Sequence, residues 1–161
     1  MENQNIFEKF YKEINQIIVY TENDNANLIN NIYLKYNELY KNIIEKNRIK
    51  GIVSRFNHSQ NLNKIIIQNE EYQINVIKEF YKNIEHIISF LPEIWLITIY
   101  DIYLKYNELQ KYELAEAHKD GYIYYGMLLN NNIPLDSEHI NKLMGISDAL
   151  IEELSKKKTN D

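Results

Sequence analysis

The 161 residues contain no cysteine. That excludes a disulfide scaffold, a thiolate zinc site and a thiol nucleophile. Proline occurs twice and glycine four times, too few for a turn-dense β protein or a linker-like chain. Long apolar runs are also missing. The longest nearly charge-free stretch, His86 to Tyr100, is interrupted by Pro92 and Glu93 and falls short of the ~20 apolar residues of a spanning helix. The opening MENQNIFEKFYKE has no apolar signal core, so a cytoplasmic protein with no membrane partner is expected. Arginine occurs twice against sixteen lysines, and the net charge is −5. This is not the bulk charge of a non-specific nucleic-acid binder.

What is present is unusual in a different way. There are 27 Ile, 23 Asn and 14 Tyr, but four Ala. Ile, Asn, Lys and Tyr are the residues an AT-rich genome encodes, so Asn- and Tyr-rich stretches carry less functional information here. With 45% hydrophobic and 25% charged residues, the chain is nonetheless composed like a globular protein. Its length fits a single domain over 1–161.

Displaced by 70 residues, the sequence aligns with itself without a gap. Phe10-Tyr11-Lys12 meets Phe80-Tyr81-Lys82, and Ile14, Ile17 and Ile18 meet Ile84, Ile87 and Ile88. The octapeptide from Ile32 to Leu39 recurs unchanged from Ile102 to Leu109. Asn5, Ile29, Lys41 and Gly51 recur as Asn75, Ile99, Lys111 and Gly121, so 18 of the 47 positions from 5 to 51 are identical. The reading is an internal duplication, with repeat one at 1–69, repeat two at 70–132 and a C-terminal segment at 133–158. Two copies are too few for a solenoid and are expected to pack face to face.

Each copy reads as a long helical hairpin. Ile6, Phe7, Phe10, Ile14, Ile17 and Ile18 form one apolar stripe at helical spacing. The polar TENDNAN turn follows, and then Ile29, Ile32, Tyr33, Tyr36, Leu39, Tyr40, Ile43 and Ile44. Gly51 either ends this second helix or marks the close approach of another backbone. Copy two repeats the plan. The expected fold is all-α: a helical bundle built from the duplicated hairpin, plus a short C-terminal helical hairpin. In that last part Gly145 would be the turn glycine and Ser147 the cap of the second helix.

Two differences between the copies mark candidate sites. The polar turn of copy one corresponds to Leu91-Pro92-Glu93-Ile94-Trp95-Leu96 in copy two, which holds the only tryptophan. Leu91, Ile94, Trp95 and Leu96 are therefore candidates for a partner-binding patch, with burial in the core as the alternative. The second difference is charge. No acidic residue lies between Lys46 and Asn69, while Lys46, Arg48, Lys50, Arg55 and Lys64 are all basic and His58 lies among them. This stretch is a candidate anion or nucleic-acid site, or else a solvated connection. The corresponding part of copy two has no basic excess.

Chemistry-bearing motifs are scarce. His58, His86, His118 and His139 do not pair with one another or with carboxylates at metal-motif spacing, so neither a metal nor another cofactor is expected. There is no P-loop, no G-x-G-x-x-G and no G-x-S-x-G, and no catalytic residue is assigned. Residues 99–130, through Asn107-Glu108-Leu109, Gly121-Tyr122 and Gly126-Met127-Leu128, resemble short helical proteins of unknown function from Clostridia and their phages. Residues 136–156 resemble a degenerate helix-turn-helix, with Asp148, Glu152 and Glu153 where phosphates would repel them. The expectation is a non-catalytic protein that binds another macromolecule. A small phage- or plasmid-borne inhibitor, of anti-CRISPR-like or immunity type, acting by protein–protein contact fits best. A nucleic-acid-associated regulator using 46–64 is the alternative, and a homodimer is compatible with either.

Overall fold

A computed structural model describes residues 4–19, 23–60, 74–133 and 135–157. It contains five helices: α1 (Ile6–Ile18), α2 (Asn23–Gln60), α3 (Val76–Ile88), α4 (Glu93–Asn130) and α5 (Ser137–Lys157). No strand occurs among the described residues, and the fold is an all-α helical bundle. The bounds of α3 and α4 lie 70 residues after those of α1 and α2 at every end, the same displacement at which the sequence matches itself.

The chain forms two compact units, and each takes segments from both repeats: residues 1–40 with 74–113, and residues 41–73 with 114–161. Both long helices contribute a first half to one unit and a second half to the other.

In the first unit the short helices start alike. The Asn5 side chain accepts the Glu8 N–H (2.8 Å), and the Asn75 side chain accepts the Lys78 N–H (3.0 Å), so one orphan donor of each helix is satisfied. Each cap is braced from a long helix, with Asn5 donating to Asn37 and Asn75 to Asn107. The predicted stripe of α1 is buried except for the half-buried Ile6, and Tyr11 joins it; Val76, Ile77, Phe80, Ile84, Ile87 and Ile88 of α3 are buried as well. Phe80 is the aromatic hub. Its ring meets Phe7, Phe10, Tyr11 and Tyr36 edge-on at centroid distances of 5.2 to 6.1 Å, the geometry the ring quadrupole favours. The Tyr11–Tyr33 stack of one copy has its counterpart in Tyr81–Tyr103 of the other.

In the second unit the core is Ile49, Ile52, Val53 and Phe56 of α2, Tyr125 of α4, and Ile140 and Met144 of α5. Gly51 and Gly121 do not break their helices. They are where the two helices meet: a Cβ on Gly51 would fall on the His118 carbonyl, and one on Gly121 on the Arg48 carbonyl. The crossing is reciprocal, since His118 and Arg48 each lie one turn before the glycine of their own helix. Of the two sequence readings of these glycines, close backbone approach is the one observed.

The tail differs from expectation. Residues 137–157 form one continuous helix, not a hairpin of two. Gly145 is helical, no glycine has a positive φ, and nothing would meet a Cβ there within 4 Å. Glycine permits a turn without forcing one. Here the buried Ile140, Met144, Ser147, Ile151 and Leu154 continue at spacings of four and three through Gly145, so a single stripe rewards an unbroken helix. Ser147 is buried on that stripe and caps nothing. The start of α5 is instead capped by Asp136, which accepts the His139 N–H at 2.7 Å.

Candidate functional site

The sequence candidates fall on two surfaces, one in each unit. The first lies at the start of α4. Pro92 opens the helix by accepting the Trp95 and Leu96 N–H groups through its carbonyl. Ile94 is 69% exposed, Trp95 41%, Ile97 54% and Tyr100 46%. Phe90 in the preceding turn and Leu104 one turn beyond Tyr100 are exposed as well. Burial of Trp95 in the core, the alternative sequence reading, is not what the structure shows. Leu91 and Leu96 are half-buried.

The repeat provides an internal reference for the patch. Ile94, Trp95, Ile97 and Tyr100 correspond to Asp24, Asn25, Asn27 and Asn30. Four apolar or aromatic residues thus replace four polar ones, so these helix positions do not require apolar side chains for folding. Acidic residues flank the face. From Asn83 to Leu104 the sequence carries Glu85, Glu93 and Asp101 and no lysine or arginine. Tyr100 packs beside Tyr81 at 6.1 Å and Tyr103 at 5.9 Å. Burial pushes the Tyr81 and Tyr103 hydroxyls up from their ordinary range; Glu85 and then Tyr100 add to the first, Tyr100 and then Glu85 to the second.

The second surface is the basic stretch, and its members have separate fates. Lys46 is buried and paired with Asp148 of α5. It fastens α5 and is not an anion contact. The interior pairs a cation it cannot leave unpaired. Arg48 is forked on Glu45 at 3.3 Å through two nitrogens, with its guanidinium over Tyr124. Lys50 is half-buried. Lys64 lies outside the described residues. Arg55 sits over the Tyr122 ring at 4.8 Å. His58 Nδ1 is 3.0 Å from the Tyr122 hydroxyl, and Ser54 Oγ is 3.3 Å from His118 Nε2. The structure therefore gathers Ser54, Arg55, His58, His118 and Tyr122 where α2 and α4 run together, while Lys46 and Arg48 are taken up elsewhere. His118 and Tyr122 are absent from the sequence candidates because they lie 64 residues along the chain from Ser54 and His58, which they meet.

Sequence reasoning also misses Glu113. Its carboxylate accepts the Ile6 N–H at 3.0 and 3.1 Å and the Tyr40 hydroxyl at 2.5 Å, which places an anion at the positive end of α1. Burial and that bond push the Tyr40 hydroxyl far up. In copy two it is the N–H of Ile77, the counterpart of Phe7, that finds a side-chain acceptor, Gln110 at 3.4 Å. The signal was there: Glu113 corresponds to Ile43, a carboxylate in place of a buried apolar residue. Nearby, burial is the main reason that Tyr36 and Tyr106 are pushed up to about 12. The Glu79 charge adds to the first and a bond to Glu13 to the second, while a bond from Asn83 lowers the first.

These hydroxyls make stability alkali-sensitive. A tyrosine whose folded pKa exceeds the ordinary 10 stabilises the fold in its protonated form. That contribution is intact below pH 10 and is lost as pH rises towards 12. Helicity, followed by circular dichroism, is expected to fall in this window together with a late, cooperative rise in phenolate absorbance. Independent titration of all the tyrosines near pH 10 with the helices intact would contradict the assignment.

Among the described residues no helix is long and apolar enough to cross a membrane, and no group of three or more His, Asp or Glu could hold a metal ion. Comparisons with protein-family models, with curated proteins and with solved structures find no match.

Proposed function

We propose that the chain is a non-catalytic binding protein that engages another protein through the exposed apolar residues of the first turns of α4, Trp95 among them, as a small inhibitor does. The observation that carries this reading is the replacement of Asp24, Asn25, Asn27 and Asn30 by the exposed Ile94, Trp95, Ile97 and Tyr100 at matching positions. Clusters of exposed large apolar side chains rimmed by polar groups are characteristic of interaction sites. Tryptophan and tyrosine supply large contact area at little entropic cost and dominate interface energetics. The flanking Glu85, Glu93 and Asp101 favour a partner with a basic rim and disfavour nucleic acid and anionic lipid surfaces.

The test is affinity capture from a lysate with the tagged chain, its Trp95→Ala variant and its Ile97→Asn variant, each with and without nuclease. A nuclease-resistant, stoichiometric protein is expected with the parent chain. Trp95→Ala should weaken its capture by at least tenfold, on the order of 2 kcal/mol for an interface hot spot, with the helical content retained. Equal capture by all three chains would overturn the assignment of this face. Capture that disappears with nuclease would redirect attention to the α2–α4 cluster.

A further inference from the structure

We infer that Arg55, His58 and His118 form a phosphoryl-binding site in the second unit, one that takes a phosphate monoester or diester. It is independent of the Trp95 face. The two arginines of the chain set the contrast. The Arg48 guanidinium is neutralised by the fork from Glu45. That of Arg55 has no carboxylate partner among the described residues; it is held by the Tyr122 ring at 4.8 Å and lies against Gly126, where a Cβ would come within 3.6 Å of it. A planar fork held by an aromatic face, with its donors unspent, is the group best matched to a phosphate.

The imidazoles complete the set. His58 uses Nδ1 on the Tyr122 hydroxyl, which leaves Nε2; His118 uses Nε2 on Ser54, which leaves Nδ1. Ser54 and His58 are one turn apart on α2, and His118 and Tyr122 one turn apart on α4, so the two pairs stand side by side along the parallel helices. Carboxylates are sparse in the α2 and α4 segments that carry the cluster. None occurs from Lys46 to Asn69; Glu116 and Asp120 are each two positions from a cluster residue and so face elsewhere; Asp148 is occupied by Lys46. The repeat does not duplicate the cluster, because Arg55 corresponds to the fully buried Tyr125 and His58 to Leu128.

The test is a titration of the full chain followed by the side-chain NMR signals of its histidines. The probes are inorganic phosphate, adenosine monophosphate and a single-stranded RNA hexamer. His58 and His118 are expected to shift together and saturably, while His86 and His139 stay put. Arg55→Gln should weaken binding about tenfold or more, as expected for losing charge-assisted hydrogen bonds, and Arg48→Gln less than twofold. Should Arg55→Gln unfold, the exposed His58→Gln serves in its place, with an expected loss of severalfold. Comparable affinity for the three probes identifies a small phosphorylated ligand; a hexamer that binds more than tenfold tighter identifies a nucleic-acid strand. The inference is overturned if no probe moves the two imidazoles, or if Arg48→Gln and Arg55→Gln weaken binding equally, the mark of diffuse charge alone.

Discussion

Gly51→Ala is expected to destabilise the protein by about 3 kcal/mol or more, at or above the upper end of the range for overpacking. For a chain of this length that lowers the melting temperature by roughly 6–12 °C. Elsewhere in a helix the same change is favourable, since alanine is the better helix former by about 1 kcal/mol. The difference is the neighbour. The added carbon would stand 2.9 Å from the Tyr122 backbone nitrogen and closer still to the His118 carbonyl oxygen. Backbone cannot rotate aside as a side chain can, so the helices must separate. Gly121→Ala meets Arg48 in the same way and is expected to cost as much. The two losses should not add, because separating the helices once relieves both. Gly145→Ala is the control. Nothing lies within 4 Å of its Cβ, and a small gain is expected. Denaturant unfolding of the four chains by circular dichroism decides the matter; a Gly51→Ala midpoint at or above that of the parent chain would mean that the crossing is not tight.

Phe80→Ala is expected to cost about 3–5 kcal/mol, the usual range for emptying a buried aromatic site. Phe80 is fully buried and its ring makes T-shaped contacts with four other rings. The collapse that could soften such a loss is limited here, since Phe7, Phe10 and Tyr36 are themselves almost wholly buried. Phe80→Leu keeps most of the volume and should cost under about 1.5 kcal/mol. If the alanine and leucine variants unfold at the same denaturant concentration, the ring contacts are not what hold this unit.

The helices were legible because their signals are local. Apolar spacing marked α1 and α3, Asn5 and Asn75 stand at their caps, and Pro92 marks the entry to α4. The surplus of apolar residues at Ile94 and Trp95 was legible because the repeat offers a polar version of the same turn. Pairings between distant segments were not. Nothing near Lys46 in the sequence announces Asp148, a hundred residues away, as its partner, so a buried structural cation read as part of an anion site. Gly145 misled for the opposite reason. A glycine looks the same in a sequence whether it turns a chain or merely sits in a helix, and only the stripe from Ile140 to Leu154 distinguishes the two.

The interleaving of the repeats bears on how fast the chain folds. Glu113 closes the first turn of α1 from 107 positions along the chain. Tyr36 waits for Asn83, Phe7 for Phe80 and Gly51 for His118. Helical bundles ordinarily fold rapidly because their contacts are short-range in sequence. In this one the pairs just named span tens of residues, and the entropy of closing those loops must be met before any of them forms. During synthesis the first hairpin therefore leaves the ribosome without its partner, its apolar stripe uncovered until the second has been made. An all-helical chain of this design folds on the slower timescale of proteins rich in distant contacts.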